Sequence, residues 1–79
     1  MRIDKFLKVA RLIKRRTIAK EVLDASKVRV NDRVVKASYE VKVGDVIEIN
    51  LSKINFKTKV KEIIQNPKGD EYLNMFENI

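Results

Sequence analysis

From residue 3 the apolar positions recur at a helical period. Ile3, Phe6, Leu7, Val9, Ala10 and Ile13 share one broad arc when the chain is wound at about 100° per residue, which predicts a helix over residues 3–13. Lys8 and Arg11 fall on the opposite side, and Arg15 joins them if the helix persists that far. Asp4 precedes Lys8 by four residues, the favourable order for an ion pair, and can also cap or complement the helix N-terminus. The stretch Lys14-Arg15-Arg16-Thr17 breaks the pattern. With Thr17 as N-cap, Ile18, Ala19, Val22, Leu23 and Ala25 line one face of a second helix.

At residue 28 the period drops to two. Val28 and Val30 alternate with Arg29, Asn31-Asp32 supplies a tight turn, and Val34-Val35 begin the returning strand. After a turn at Gly44-Asp45, Val46, Ile47, Ile49 and Leu51 form a strand, and residues 52–55 form a connection. Phe56, Thr58 and Val60 then alternate with Lys57, Lys59 and Lys61, giving one apolar and one basic face. Pro67 and Gly69 interrupt the pattern, and Tyr72, Met75, Phe76 and Ile79 have the spacing of a short amphipathic helix. The expectation is an α+β fold with two N-terminal helices packed on a small, mostly antiparallel sheet. Residues 1–64 form the domain, and residues 65–79 form a tail with a short helix that covers an open end of the core.

Composition narrows the chemistry. The chain contains no histidine and no cysteine, so the commonest general acid/base, disulfides and thiolate metal sites are missing together. No glycine-rich phosphate loop is present, and Asp4, Asp24 and Asp45 each suit a cap or a turn. The sequence therefore points to a non-enzymatic protein with no catalytic residue, metal or cofactor. No apolar run approaches the length of a membrane span, and the first residues are charged throughout, which fits a cytoplasmic protein.

The net charge of +7 becomes informative once it is located. Residues 1–20 hold eight cations, Arg2, Lys5, Lys8, Arg11, Lys14, Arg15, Arg16 and Lys20, against the single acid Asp4, whereas the ten cations and ten acids of residues 21–79 cancel. So concentrated a field calls for a polyanion. The junction between the helices is the candidate site: a helix N-terminus attracts phosphate, and Lys14, Arg15 and Arg16 flank the approach to Thr17. Arginine adds a planar fork that grips phosphate oxygens bidentately. Lys8 and Arg11 extend this surface. The only aromatic residue in the segment, Phe6, turns toward the core, so recognition should rest on phosphates, 2′-hydroxyls and overall RNA shape. Lys57, Lys59 and Lys61 suggest a second basic stripe, although alternating lysines also serve to blunt a sheet edge.

Five ordered blocks carry a resemblance. Arg2-Ile3-Asp4-Lys5-Phe6-Leu7, Arg16-Thr17-Ile18-Ala19, Val28-Arg29-Val30-Asn31, Lys36-Ala37-Ser38 and Val43-Gly44-Asp45-Val46-Ile47 follow in order over residues 1–51. The chain thereby resembles the RNA-binding domain of the ribosomal protein S4 type, the alpha-L RNA-binding motif. The resemblance implies a helix pair that binds structured RNA, with Arg2, Lys5, Arg15, Arg16 and Lys20 in contact; apart from the resemblance, Lys36, Lys57 and Lys59 are expected as secondary RNA contacts. Ser26 stands where a glycine usually ends the second helix, Asp32 replaces the glycine of an Asn-Gly turn, and Ala37 replaces a proline. The run Lys5 to Thr17 further resembles the short family members of ribosome-associated quality control, and is similar to the fifteen-kilodalton heat-shock protein. That resemblance implies ribosomal RNA of the large subunit and a stranded peptidyl-tRNA as partners. It also implies a further factor that adds untemplated alanine to the stalled chain.

Three other readings compete. A DNA-binding helix-turn-helix needs a basic or polar second helix, yet here Lys20 sits beside Glu21 and Asp24 while the cations lie on the first helix and the junction. A membrane-surface helix over residues 3–16 would leave the strand pattern without a core to cover. A protein-interaction module would work through the tail. Nothing in the chain demands more than a monomer.

Overall fold

The computed structural model describes residues 1–79. Helix α1 spans Ile3–Val9 and helix α2 spans Arg16–Asp24, followed by strands β1 (Val28–Val30), β2 (Arg33–Val34), β3 (Val46–Asn50) and β4 (Asn55–Val60). A 3₁₀ helix, Gly69–Asn74, precedes strand β5, Phe76–Asn78. All strand pairs are antiparallel in one sheet of order β2-β1-β3-β4-β5. The two helices pack together on one face of it, as the sequence pattern anticipates.

Helix α1 buries Ile3, Phe6 and Leu7, and the turn after it buries Ala10 and Ile13. The helix is shorter than its apolar spacing suggests. It stops because Arg11 adopts φ +59°, while Arg11 N–H donates to the Lys8 carbonyl and Leu12 N–H to the Leu7 carbonyl, each at 3.0 Å. These two bonds form a Schellman turn. The same turn ends α2: Ser26 sits at φ +62°, its N–H donates to Leu23, and Lys27 N–H donates to Val22. Neither turn contains glycine. Each L-residue held there costs on the order of 1 kcal/mol.

The start of α2 also differs from expectation. Arg15, in an extended conformation, occupies the N-cap position without a side-chain cap, and Thr17 lies inside the helix with its side chain exposed. Of the expected apolar face, Ala19 and Leu23 are buried and Val22 is half-buried. Ile18 and Ala25 are exposed instead: Ala25 lies past the helix end at Asp24, and Ile18, about 100° round the helix from Ala19, falls at the edge of the buried face.

In the sheet, Val28 and Val30 of β1, Ile47 and Ile49 of β3, and Thr58 and Val60 of β4 point into the core, with Arg29, Lys57 and Lys59 outside. Asn31 and Asp32 both have positive φ, 52° and 69°, which makes the β1–β2 connection a type I′ hairpin turn. The Lys57/Lys59 stripe is not at a sheet edge, because β4 lies between β3 and β5. The expected tail helix is present only as the 3₁₀ turn. Phe76–Asn78 instead pair with β4, and Met75, fully buried, joins the core. Strand β4 would otherwise offer a free row of backbone groups, and pairing satisfies them.

Buried Asp45 pins the loop that leads into β3. Its carboxylate accepts from Tyr39 Oη at 2.9 Å, Lys42 N–H at 2.9 Å and Asn31 Nδ2 at 3.1 Å. Partial burial, then the hydrogen bond to Asp45 and the charge of that carboxylate, push the Tyr39 hydroxyl above its ordinary pKa of 10.0. The unfolded chain therefore loses this proton first as pH rises. The contribution of Tyr39 to stability is complete below pH 10 and fades as pH climbs through the raised folded value. We expect urea unfolding midpoints to decline above pH 10, and more steeply in the parent than in Tyr39→Phe. Parallel profiles would remove Tyr39 as the group responsible.

Candidate nucleic-acid interface

The eight cations of residues 1–20 lie on the two helices and the segments flanking them, and five of them fall into two groups. The first gathers on Asp4. Its side chain is only 5% exposed, yet Arg2 Nε lies 3.3 Å from Oδ1 and Arg16 Nε lies 3.3 Å from Oδ2. Arg16 Nη2 also donates to Oδ1 at 3.4 Å. One carboxylate thus ties the residue before α1 to the first residue of α2. Each arginine side chain remains about half exposed, 47% for Arg2 and 48% for Arg16. The expected Asp4–Lys8 pair does not form, because Asp4 is turned inward toward the two arginines. Its Oδ1 also accepts from Lys5 N–H at 2.9 Å.

The N-termini of the two helices differ. That of α1 is closed by its own fold: Ile3 N–H donates to the Tyr39 carbonyl at 2.8 Å and Asp4 N–H to the Ala37 carbonyl at 3.4 Å. The start of α2 carries no side-chain cap. It is flanked by exposed Lys14, Arg15 and Arg16, with Thr17 and Lys20 exposed on the helix itself. The junction singled out from sequence is therefore the helix start left open to a ligand.

The second group lines a cleft of about 670 Å³ between the end of α1 and the tail, with Lys8, Arg11 and Lys14 on one wall and Asn66, Pro67 and Tyr72 on the other. The Arg11 guanidinium carbon sits 4.4 Å from the centre of the Tyr72 ring, a cation–π contact. Lys5, one turn back on α1, reaches the tail through a 3.0 Å hydrogen bond from Nζ to Gln65 Oε1.

Six of the eight cations, Lys5, Lys8, Arg11, Lys14, Arg15 and Lys20, form no ion pair; Arg2 and Arg16 share one carboxylate. The surplus charge is therefore not consumed internally. The secondary positions are weaker. Lys57 lies 3.9 Å from Glu48 across β3–β4 and Lys61 lies 3.4 Å from Glu77, while Lys36 and Lys59 are exposed and unpaired. Lys57 borders a shallow depression together with Arg11 and Leu12 at the end of α1, while Lys36 lies in the loop after β2.

Two participants escape a local reading. Asp4 acts as organiser of the arginine pair, and Tyr72 forms a wall of the cleft; both depend on partners distant in sequence. No helix is long and apolar enough to cross a membrane.

The S4 domain family model matches residues 1–47. The chain is 45% identical to the RQC P-site tRNA stabilizing factor of Bacillus subtilis over 96% of its own length and 88% of the relative's. It is 43% identical to the Streptococcus pneumoniae protein of the same name over 100% of this chain and 90% of that one. Heat Shock Protein 15 of Vibrio cholerae superposes on the whole chain with a TM-score of 0.91 and 25% identity, covering 81% of that structure. With the helix pair, the sheet and these sequence matches in agreement, the chain belongs to the S4 domain family.

Proposed function

We propose that this protein is a non-enzymatic factor that binds ribosomal RNA of the large subunit and stranded peptidyl-tRNA through its helix pair, in the quality control of stalled translation. On this reading Arg2, Lys5, Lys8, Arg11, Lys14, Arg15, Arg16, Thr17 and Lys20 face RNA, and Lys36, Lys57 and Lys59 add secondary contacts. The protein acts as a monomer in the cytoplasm, on the ribosome. It holds the tRNA while a separate factor extends the stalled chain with alanine. The observation that carries the reading is the array of unpaired cations on α1, α2 and their junction, beside two arginines oriented by one buried carboxylate. The names of the relatives, which refer to P-site tRNA stabilization, support the choice of RNA.

Arg15 provides the cleanest test because it is exposed, unpaired and outside the core. Arg15→Ala is expected to weaken co-sedimentation with large ribosomal subunits about tenfold, the value of one charge-assisted phosphate contact. Its melting temperature should be unchanged. Binding should fall with salt at a log–log slope of roughly −4 to −5 for six phosphate contacts. A flat salt response would favour a protein-interaction module, and equal affinity for random duplex DNA would reduce the activity to generic polyanion binding.

A further inference from the structure

Phosphate contacts position an RNA without reading its bases, and the helix pair offers no aromatic surface to an unpaired base. The cleft beside the helix pair does. Tyr72 comes from the tail, outside the residues matched by the family model. It packs against the core but, unlike the fully buried Met75, is only half-buried, while β5 anchors the tail to β4. Arg11 covers one face of the Tyr72 ring from a backbone conformation, φ +59°, that glycine would adopt without strain. A strained residue whose side chain forms a planar stack in an open cleft invites a functional explanation. Lys8 and Lys14 flank the stack, Asn66 offers an amide with both donor and acceptor groups, and no carboxylate lines the cleft. Its volume, about 670 Å³, lies within the range of small-molecule sites.

We propose that this cleft captures one unstacked nucleotide of the bound RNA. The base stacks on the Arg11–Tyr72 pair, its edge faces Asn66, and its phosphate lies between Lys8 and Lys14. Arginine planes and tyrosine rings both serve as stacking surfaces for splayed bases, and stacking tolerates any base because each has a π-face. The inference rests on the RNA-binding reading of the helix pair and adds to it a contact specific for an unpaired position.

The test uses the full chain and three RNAs: a fully paired hairpin, the same hairpin with one bulged 2-aminopurine nucleotide, and the same bulge made abasic. The parent protein is expected to bind the bulged hairpin about tenfold more tightly than the abasic one, a typical loss for one stacked base. It should also quench the 2-aminopurine emission. Tyr72→Ala should bind the bulged and abasic hairpins alike, and Tyr72→Phe, which retains a ring, should keep the preference. Arg11→Gly guards against a folding artefact: it relieves the positive φ, so it should melt no lower than the parent and still lose the discrimination. Equal affinity of the parent for bulged and abasic RNA would overturn the stacking site and leave the helix-pair reading standing. Discrimination retained by both Tyr72→Ala and Arg11→Gly would do the same. Failure to bind any of the three RNAs would overturn both.

Discussion

A Phe6→Ala variant is expected to lose about 3–5 kcal/mol of folding free energy, the usual cost of deleting a buried aromatic ring. Phe6 is fully buried and heads the largest side chains of the core. A domain of this size holds only about 4–12 kcal/mol in total, so the variant would stand at or near unfolding. Each kcal/mol shifts the melting temperature by about 4–8 °C for a chain of this length, so thermal melts followed by circular dichroism should fall by at least about 12 °C. Ile18→Ala is the control. Ile18 lies on the same pair of helices but is 43% exposed, and its removal should change stability by less than about 0.5 kcal/mol. A Phe6→Ala protein melting with the parent would show that α1 is not seated on the core through this ring.

Asp4→Asn separates two accounts of the basic surface. The substitution keeps the shape of the side chain and raises the net charge by one. If charge alone governs RNA affinity, the variant should bind more tightly. The geometry gives the opposite sign. Asp4 aligns Arg2 and Arg16 from opposite sides at 3.3 Å, and an amide can neither attract both guanidinium groups nor accept from them without presenting its own NH₂. Released, the two side chains regain rotamer freedom that must be lost again on binding. We expect about tenfold weaker binding to large ribosomal subunits. The stability loss should be small, about 1 kcal/mol, because both arginines are half exposed and can be hydrated. Tighter binding by Asp4→Asn would show that the arginine pair contributes only its charge. The same geometry makes Arg16 a poorer probe than Arg15, because its removal takes a partner from a buried carboxylate.

Much of the core was legible from spacing alone, although Ala37 and Val41, in the loop before β3, carry no period to mark them. Ile3, Phe6, Leu7, Ala10 and Ile13 are buried as their helical period required, and the alternation in β1, β3 and β4 assigns faces correctly. Where helices stop was less legible. The end of α1 falls at an arginine in the left-handed region, with no glycine to mark it, and the period ran on through Ile13 because the Schellman turn carries that residue back to the core. At α2, Thr17 had the composition of an N-cap, but Arg15 was already extended at the true boundary. The tail misled for a different reason. The spacing of Tyr72, Met75, Phe76 and Ile79 fits a helix, yet the unpaired side of β4 captured Phe76–Asn78, and pairing between distant segments leaves no local period to read. The site divides the same way. Its cations could be counted from sequence, but their partners could not: Asp4 chose two arginines over the near Lys8, and Arg11 met an aromatic residue 61 positions away.

Helices of seven and nine residues are too short to persist in water on their own. The spacing between the cations is therefore set by the sheet on which the helices rest, not by either helix. Occupation of the surface and consolidation of the fold become two faces of one equilibrium: an RNA that selects the native arrangement also raises its population by mass action. A chain still missing β3 and β4 would carry the same positive charge but could not hold it in register.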